Sequence, residues 1–347
     1  MSNEIKNTYG IMLIGCGHIG EEHIADIYFR DNIRIVAVID TDIERARLFG
    51  RKYGAEISAA DYREYLDRRD IDIVIIATNV DTHLEILKDC IAAHKHVLCE
   101  KPIASNAADG EEFYRLASQA EVSVAVAHIL RFNRTYRRVG ELISQGAIGE
   151  LQVARMVQNH HCKDWPRYRR LLQDCSPILD CGVHYFDLLQ WYTGSPIVAV
   201  GGIGTRVGED LDGDIYNYGI ANLQLQNGVI GYYEAGWGET FSSCNVKEFI
   251  GTEGRISLTL NRFRHSHTEE GDLIEVYTKA GNCYRTVNSD SLYKPMWEQL
   301  KGLIDRIEGR PSASPSLQDC YSSFCVALAA DRAIRENSYV AVQADVF

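Results

Sequence analysis

The sequence predicts an α/β protein: a parallel sheet covered by helices, followed by an α+β region built on a large, mostly antiparallel open sheet. Three observations predict it. Short, fully apolar runs alternate with amphipathic segments from Ile11 to Ala127, strand-like runs follow one another after residue 128, and a glycine-rich turn closes the first apolar run. At 347 residues the chain has room for two domains, read as 1–127 and 128–347, with the C-terminal helices candidates to pack back on the first.

In order, the runs Ile11 to Ile14, Ile33 to Ile39, Ile71 to Ala77, Val97 to Cys99 and Val122 to Ala127 are apolar at consecutive positions, as strands buried on both faces are. Between them, Leu84, Leu87 and Ile91, and then Phe113, Leu116 and Ala117, recur at helical spacing. The second half predicts a helix over Tyr136 to Ser144, a strand over Leu151 to Val157 and a helix over Val183 to Tyr192. Strands follow over Ile197 to Val200, Tyr218 to Leu225, Val229 to Tyr233, Val246 to Ile250, Arg255 to Leu260 and Leu273 to Tyr277. Two helices close the chain, Trp297 to Ile307 and Leu317 to Arg335, parted by the stop signal Gly309-Arg310-Pro311. An open sheet with one uncovered face predicts a homo-oligomer, a dimer or tetramer.

Lys plus Arg total 36 against 48 Asp plus Glu, a formal charge of −12 that argues against nucleic acid as a partner. No run approaches the ~20 apolar residues that span a bilayer, and the N-terminus shows no basic region before an apolar one, so a cytoplasmic protein without a membrane partner is expected. Ten cysteines occur without a Cys-x-x-Cys pair, the pattern of reduced core thiols. His160, His161, Cys162, Cys175, Cys181 and His184 lack the repeated short spacing of structural zinc ligands, so no metal is expected.

The first run ends in Gly15-Cys16-Gly17-His18-Ile19-Gly20, between strand and helix. Its glycines suit a tight turn, close approach of a pyrophosphate, and close helix–strand packing, and the helix N-terminus offers N–H groups to phosphate. Asp40 ends the second run 20 residues past Gly20, where an acid meets ribose hydroxyls. Together these point to a dinucleotide site, although Asp40 alone also reads as a turn or N-cap residue. Cys99-Glu100-Lys101-Pro102 closes a strand at the carboxyl edge of the sheet, where Lys101 is either an oxyanion stabiliser or an exposed turn lysine. Asp180 and His184 stand four apart at a helix start and share a face. They form either a carboxylate-supported general base or a helix N-cap beside a core histidine. Lys163 to Arg170 is either a solvated loop or a substrate lid, with Trp165 or Tyr168 over a ring and Arg167 or Lys163 toward hydroxyls or an acid. Glu234 and Trp237 are candidates for the same pocket, or for surface packing.

In this order and at these separations, the motifs resemble the Gfo/Idh/MocA family of NAD(P)-dependent sugar and cyclitol oxidoreductases. The likeness extends to Arg131-Phe132, to Ile250-Gly251-Thr252-Glu253-Gly254 and to the closing Ala327 to Ser338 helix. It implies a Rossmann dinucleotide-binding domain, a substrate-binding and oligomerising α+β domain, and a catalytic group of Lys101, Asp180 and His184. The cofactor would meet Gly15, Gly17, His18, Ile19, Gly20, Asp40, Thr78, Asn79, His83 and Glu100, and the sugar or polyol would meet Arg131, Trp165, Arg167, Tyr168 and Trp237. Two segments depart from the family pattern: Asn79 stands where the family commonly has proline, and His128-Ile129-Leu130-Arg131-Phe132 replaces a Tyr-Asn-Arg-Arg-Phe-like string. The acids of Asp40-Thr41-Asp42 oppose a 2′-phosphate and favour NAD over NADP, with Arg45 and Arg47 acting against that preference. Three other readings stay open. They are a nucleotide-sugar dehydrogenase using Arg167, Arg169 and Arg170 for a diphosphate, an NAD-dependent glycoside-cleaving variant, and a non-catalytic sensor. Presence of all three of Lys101, Asp180 and His184 argues against the sensor.

Overall fold

Consecutive apolar residues become the centre of a parallel sheet. The computed structural model describes residues 8–208, 211, 215–260 and 271–342, and the chain divides into two units, Met1–Phe132 with Lys294–Tyr321 and Asn133–Tyr293 with Ser322–Phe347. In the first unit the elements run β1 (Tyr9–Ile14), α1 (His18–Ile27), β2 (Ile33–Ile39), α2 (Ile43–Tyr53), β3 (Ile57–Ala59), β4 (Ile73–Ile76), α3 (His83–Ala92), β5 (His96–Cys99), α4 (Ala107–Gln119) and β6 (Val124–Val126). The strands pair in parallel in the order β3-β2-β1-β4-β5-β6. Every residue of β1 and β4 is buried, because helices cover both faces. The order reverses beside β1, and the crevice at the carboxyl ends of β1 and β4 is where such sheets bind ligands.

Asp42, not Asp40, caps α2, accepting the N–H groups of Glu44 and Arg45, and Gly54 closes that helix at φ +72°. This removes the N-cap reading of Asp40. The short edge strand β3 carries no apolar pattern of its own, and its pairing with β2 is what makes it a strand.

The second unit runs α5 (Arg134–Ser144), β7 (Leu151–His161), α6 (Trp165–Asp174), α7 (Pro177–Thr193), β8 (Ile197–Thr205), β9 (Tyr218–Leu225), β10 (Ile230–Gly238), β11 (Cys244–Gly251), β12 (Gly254–Thr259), β13 (Asp272–Thr278) and β14 (Cys283–Ser289). The chain then returns to the first unit with α8 (Met296–Ile307) and re-enters the second along α9 (Leu317–Glu336), ending in β15 (Tyr339–Ala341). Leu300, Leu303 and Ile304 of α8 join the core of the first unit with Ile11, Ile35 and Ile73. The nine-stranded sheet has the order β14-β13-β12-β11-β7-β10-β9-β8-β15, antiparallel throughout but for β7 with β10. Among the described residues no helix is long and apolar enough to cross a membrane.

Two expectations change here. Lys163 to Arg170 is not a loop: Asp164 accepts the Arg167 N–H and opens α6, with Pro166 in its first turn. Helix α7 starts at Pro177, six residues before the expected Val183, because Ser176 accepts the Leu179 N–H and Pro177 is preset for the first turn. Asp180 is therefore a helical residue and not the cap. The Ser176 hydroxyl also lies 2.9 Å from the Tyr216 hydroxyl, which donates to Asp331 at 2.6 Å. Ser176→Ala removes the cap and a partner of buried Tyr216, and should lower stability by about 1–2 kcal/mol in urea titration.

Candidate active site

The glycine-rich turn has the three properties a pyrophosphate site needs. Gly15 takes φ +98°, and a Cβ there would lie 2.3 Å from the Ala77 carbonyl oxygen. A Cβ on Gly20 would lie 2.0 Å from the Gly15 oxygen, so α1 packs on the turn only through glycine. Gly17, the N-cap of α1, has open space where its Cβ would be, and no side chain caps the helix. The first N–H groups of α1 thus face an open cradle that fits the phosphates of a dinucleotide. His18 is exposed, 3.7 Å from Glu22, and Ile19 packs against the core.

Asp40 follows β2 and is largely buried. One of its oxygens accepts the Cys16 N–H at 2.9 Å and the other accepts the Asp42 N–H at 2.9 Å. The acid therefore fastens the glycine turn to the end of β2. The Arg45 guanidinium lies 3.4 Å from both Asp40 and Asp42. Asn79, in place of the family proline, holds φ −65°, the value a proline ring would impose, so the turn after β4 keeps its shape. Thr78 accepts from the Thr82 hydroxyl at 2.7 Å in the same turn.

His83 and Glu100, expected at the cofactor, spend their polar atoms on the protein. Nδ1 of His83 lies 3.0 Å from the Pro102 carbonyl and Nε2 lies 3.3 Å from the Thr78 carbonyl. The buried ring thereby bridges the turns after β4 and β5. Burial holds the imidazole below the ordinary histidine value, against the opposing pull of those carbonyls and of Glu100. Glu100 is buried against His23 of α1, Oε1 to Nε2 at 2.7 Å, and its Oε2 accepts the Lys101 N–H at 3.3 Å. Lys101 is half-buried and precedes a cis peptide to Pro102. Arg131 belongs to the first unit and lies 3.5 Å from Asp319, with a side chain only 11% exposed.

In the second unit, α7 is buried along Pro177 to Leu189 at every position except Asp180 and His184. The two are four residues apart and share the one accessible face. Cys181 donates to the Asp180 carboxylate at 3.5 Å. Gly182 admits Tyr233 of β10, since a Cβ there would come within 3.2 Å of its ring. Tyr233 stacks on Tyr185 at 5.0 Å. The fully buried Lys247 also lies over Tyr185, 4.2 Å from the ring centre, and donates at 2.7 Å to the Val157 carbonyl and to Asn245. Burial holds that amine well below the ordinary lysine range.

The same sheet face carries Gln158 and His160 of β7; sequence reasoning passed over Gln158 and weighed His160 only as a metal candidate. The Gln158 side-chain amide lies 3.1 Å from His160 Nε2, and His160 Nδ1 lies 3.4 Å from the Tyr168 hydroxyl. Tyr168, half-buried on α6, meets the Trp237 ring edge-on at 5.5 Å, with Arg167 5.8 Å above it. Trp165 is buried at the start of α6. Trp237 is 2% exposed, and its indole N–H finds no acceptor among the described residues. Glu234 does not share this face. Three residues from Trp237 on a strand of period two, it points the other way and accepts from Asn159 at 2.6 Å. Polar residues at alternate positions ending the apolar stripe Ala154, Met156 were the available sign of Gln158 and His160.

Among the described residues no group of three or more His, Cys, Asp or Glu is arranged to hold a metal ion, and the ten cysteines are free thiols.

Comparison with known proteins adds an independent line. A family model for an oxidoreductase family with an NAD-binding Rossmann fold matches residues 9–128, and one for the GFO/IDH/MocA C-terminal domain matches residues 136–257. The chain is 24% identical over 340 residues to a myo-inositol 2-dehydrogenase of Thermotoga maritima, covering 96% of this chain and 98% of that one. It is 28% identical over 254 residues to a 1,5-anhydro-D-fructose reductase of Ensifer adhaerens, covering 72% of this chain and 75% of that one. In fold it resembles scyllo-inositol dehydrogenase from Lactobacillus casei with bound NAD(H) and scyllo-inositol, with a TM-score of 0.75 at 21% identity over 96% of this chain and 99% of that one.

Two tests follow from the cradle and its supports. Gly17→Ala should leave the urea midpoint near wild type while weakening dinucleotide binding in calorimetry, whereas Gly20→Ala should lower the midpoint itself. For His83, a depressed folded value means that the unfolded chain takes up the proton first, so stability is lost as pH falls through about 6.5 toward the lower folded value. Urea titrations at about pH 7.5 and about pH 5.5 should show wild type losing more stability than His83→Gln.

Proposed function

Because the chain belongs to the Gfo/Idh/MocA oxidoreductase family, we propose that it is an NAD-dependent oxidoreductase that transfers hydride between a ring hydroxyl of a cyclitol or sugar and the nicotinamide. The observation that carries this reading is the pair Asp180 and His184, the two accessible positions of an otherwise buried helical stretch. Bound NAD supplies the hydride acceptor. His184 takes the hydroxyl proton in the oxidative direction, a contribution of about 10²- to 10⁴-fold. Asp180 orients the imidazole and favours its charged form once the proton has moved. Lys101 stabilises the negative charge that develops on the substrate oxygen.

Gly15, Gly17, Gly20 and the α1 N-terminus would hold the pyrophosphate, with Asp40 at the adenosine ribose. Tyr168 suits the face of a polyol ring, with the buried Trp237 packed edge-on against it as support rather than as a substrate contact. Arg167 at the Tyr168 edge is the candidate for a further hydroxyl. Asp40 and Asp42 disfavour a 2′-phosphate, so NAD is preferred over NADP, while Arg45 between them limits that preference. The uncovered sheet face, with Ile203, Ile230, Val246 and Tyr339 more than 40% exposed, is the surface through which the chain would self-associate.

The direct assay is NADH formation with a panel of inositols, aldoses and anhydro-sugars. At least one should be oxidised with a higher kcat/KM for NAD than for NADP. Asp40→Ser should narrow that gap and Arg45→Ala should widen it. Equal use of both cofactors by wild type would remove the NAD preference. His184→Ala should lower kcat by about 10²- to 10⁴-fold with NAD affinity nearly unchanged, and activity should rise with pH as His184 loses its proton. Near-normal turnover of that variant would make His184 structural.

A further inference from the structure

The geometry points to His23 as a positioning residue for Lys101, acting through Glu100. The inference rests on the catalytic reading of Lys101 proposed above. His23 lies on the buried side of α1 with Gly20, Ile24 and Ile27 and is 1% exposed. Its Nε2 meets Glu100 Oε1 at 2.7 Å. The other Glu100 oxygen accepts the backbone N–H of Lys101 at 3.3 Å. One buried carboxylate therefore has one oxygen on the helix that begins at the phosphate cradle and the other on the peptide that carries the lysine.

Stability does not account for this arrangement. A buried His–Glu pair pays for its own desolvation, and apolar residues of the same shape in both places are commonly as stable or more so. Nδ1 of His23 is moreover buried with no hydrogen-bond partner among the described residues, an added cost that leucine would not incur. Burial alone would raise the Glu100 pKa, yet the His23 bond and the charge and N–H of Lys101 together bring it below the usual range, so Glu100 stays an acceptor on both sides. What the pair gains is a fixed distance between α1 and the Lys101 backbone. The other ties run elsewhere: Asp40 holds the turn before α1 to β2, and His83 holds the turn after β5 to the one after β4. Reacting groups misplaced by about 1 Å lose about 10²-fold in rate, which is the scale on which such a link acts.

The test is a double-mutant cycle on the full chain, with the cyclitol or sugar identified by the panel above. His23→Leu should lower kcat by about 10- to 100-fold while the NAD dissociation constant stays near wild type, and it should lower the melting temperature because Glu100 keeps a buried oxygen without its partner. His23→Gln, which restores an N–H donor toward Glu100, should recover most of the loss. In a Lys101→Met background, His23→Leu should cost nothing further. Wild-type kcat in His23→Leu overturns the inference, and so does a loss of the same factor in the Lys101→Met background, which would show an effect not routed through the lysine. If His23→Leu does not fold, Glu100→Gln enters the same cycle with the same two criteria. A Lys101→Met enzyme with normal kcat would instead refute the catalytic reading of the lysine.

Discussion

Burial of α7 against the nine-stranded sheet is the constraint on which the rest of the second unit depends. A helix can hold two polar side chains in a fixed relation only when its other faces cannot rotate. Gly182 lets Tyr233 approach, Tyr185 packs against both Tyr233 and Lys247, and Tyr192 packs edge-on against Phe249 at 5.5 Å. The Ser176 cap and the Tyr216–Asp331 bond fix where the helix begins. Along Pro177 to Leu189, what this packing leaves accessible is one carboxylate and one imidazole, a turn apart.

In the first unit the same principle works through side chains that hold loops. Asp40 ties the glycine turn to β2, His83 ties the turn after β4 to the one after β5, and Glu100 ties the turn after β5 to α1. Each is a buried or nearly buried polar residue at the carboxyl edge of the sheet, and each satisfies main-chain or side-chain groups that would otherwise be stranded there. A loop cradle for a dinucleotide needs this support because backbone N–H groups bind phosphate well only when they do not have to reorganise.

The glycine turn and the parallel strands were legible because each is a local pattern with one physical solution, whereas the Asp180, His184 spacing showed a shared helix face and left its use open. Gly15 and Gly20 sit where only hydrogen fits, and β1 and β4 are buried throughout as their unbroken apolar runs require. Other features were hidden because their cause lies elsewhere in the chain. Strands β14 and β15 are polar or short and exist through their neighbours' edges. Nothing local to Glu100 shows that His23, 77 residues away, is its partner. The early start of α7 was readable in Ser176-Pro177 and was outweighed by the apolar run that begins later. Helix α6 was masked by its charge, which suggests a loop until Asp164 and Pro166 are seen as a helix start.

The central claim is that the protein moves a hydride from a ring carbon to NAD, and isotope transfer tests it most directly. Inositol carrying deuterium on its ring carbons would be incubated with NAD and the protein, and the reduced nucleotide isolated and weighed by mass spectrometry, with other deuterated polyols or sugars used in turn. The account predicts one deuterium in each reduced nucleotide formed and a ketone on the ring. Reduced nucleotide without deuterium, or no reduction with any cyclitol or sugar of the panel, would contradict it.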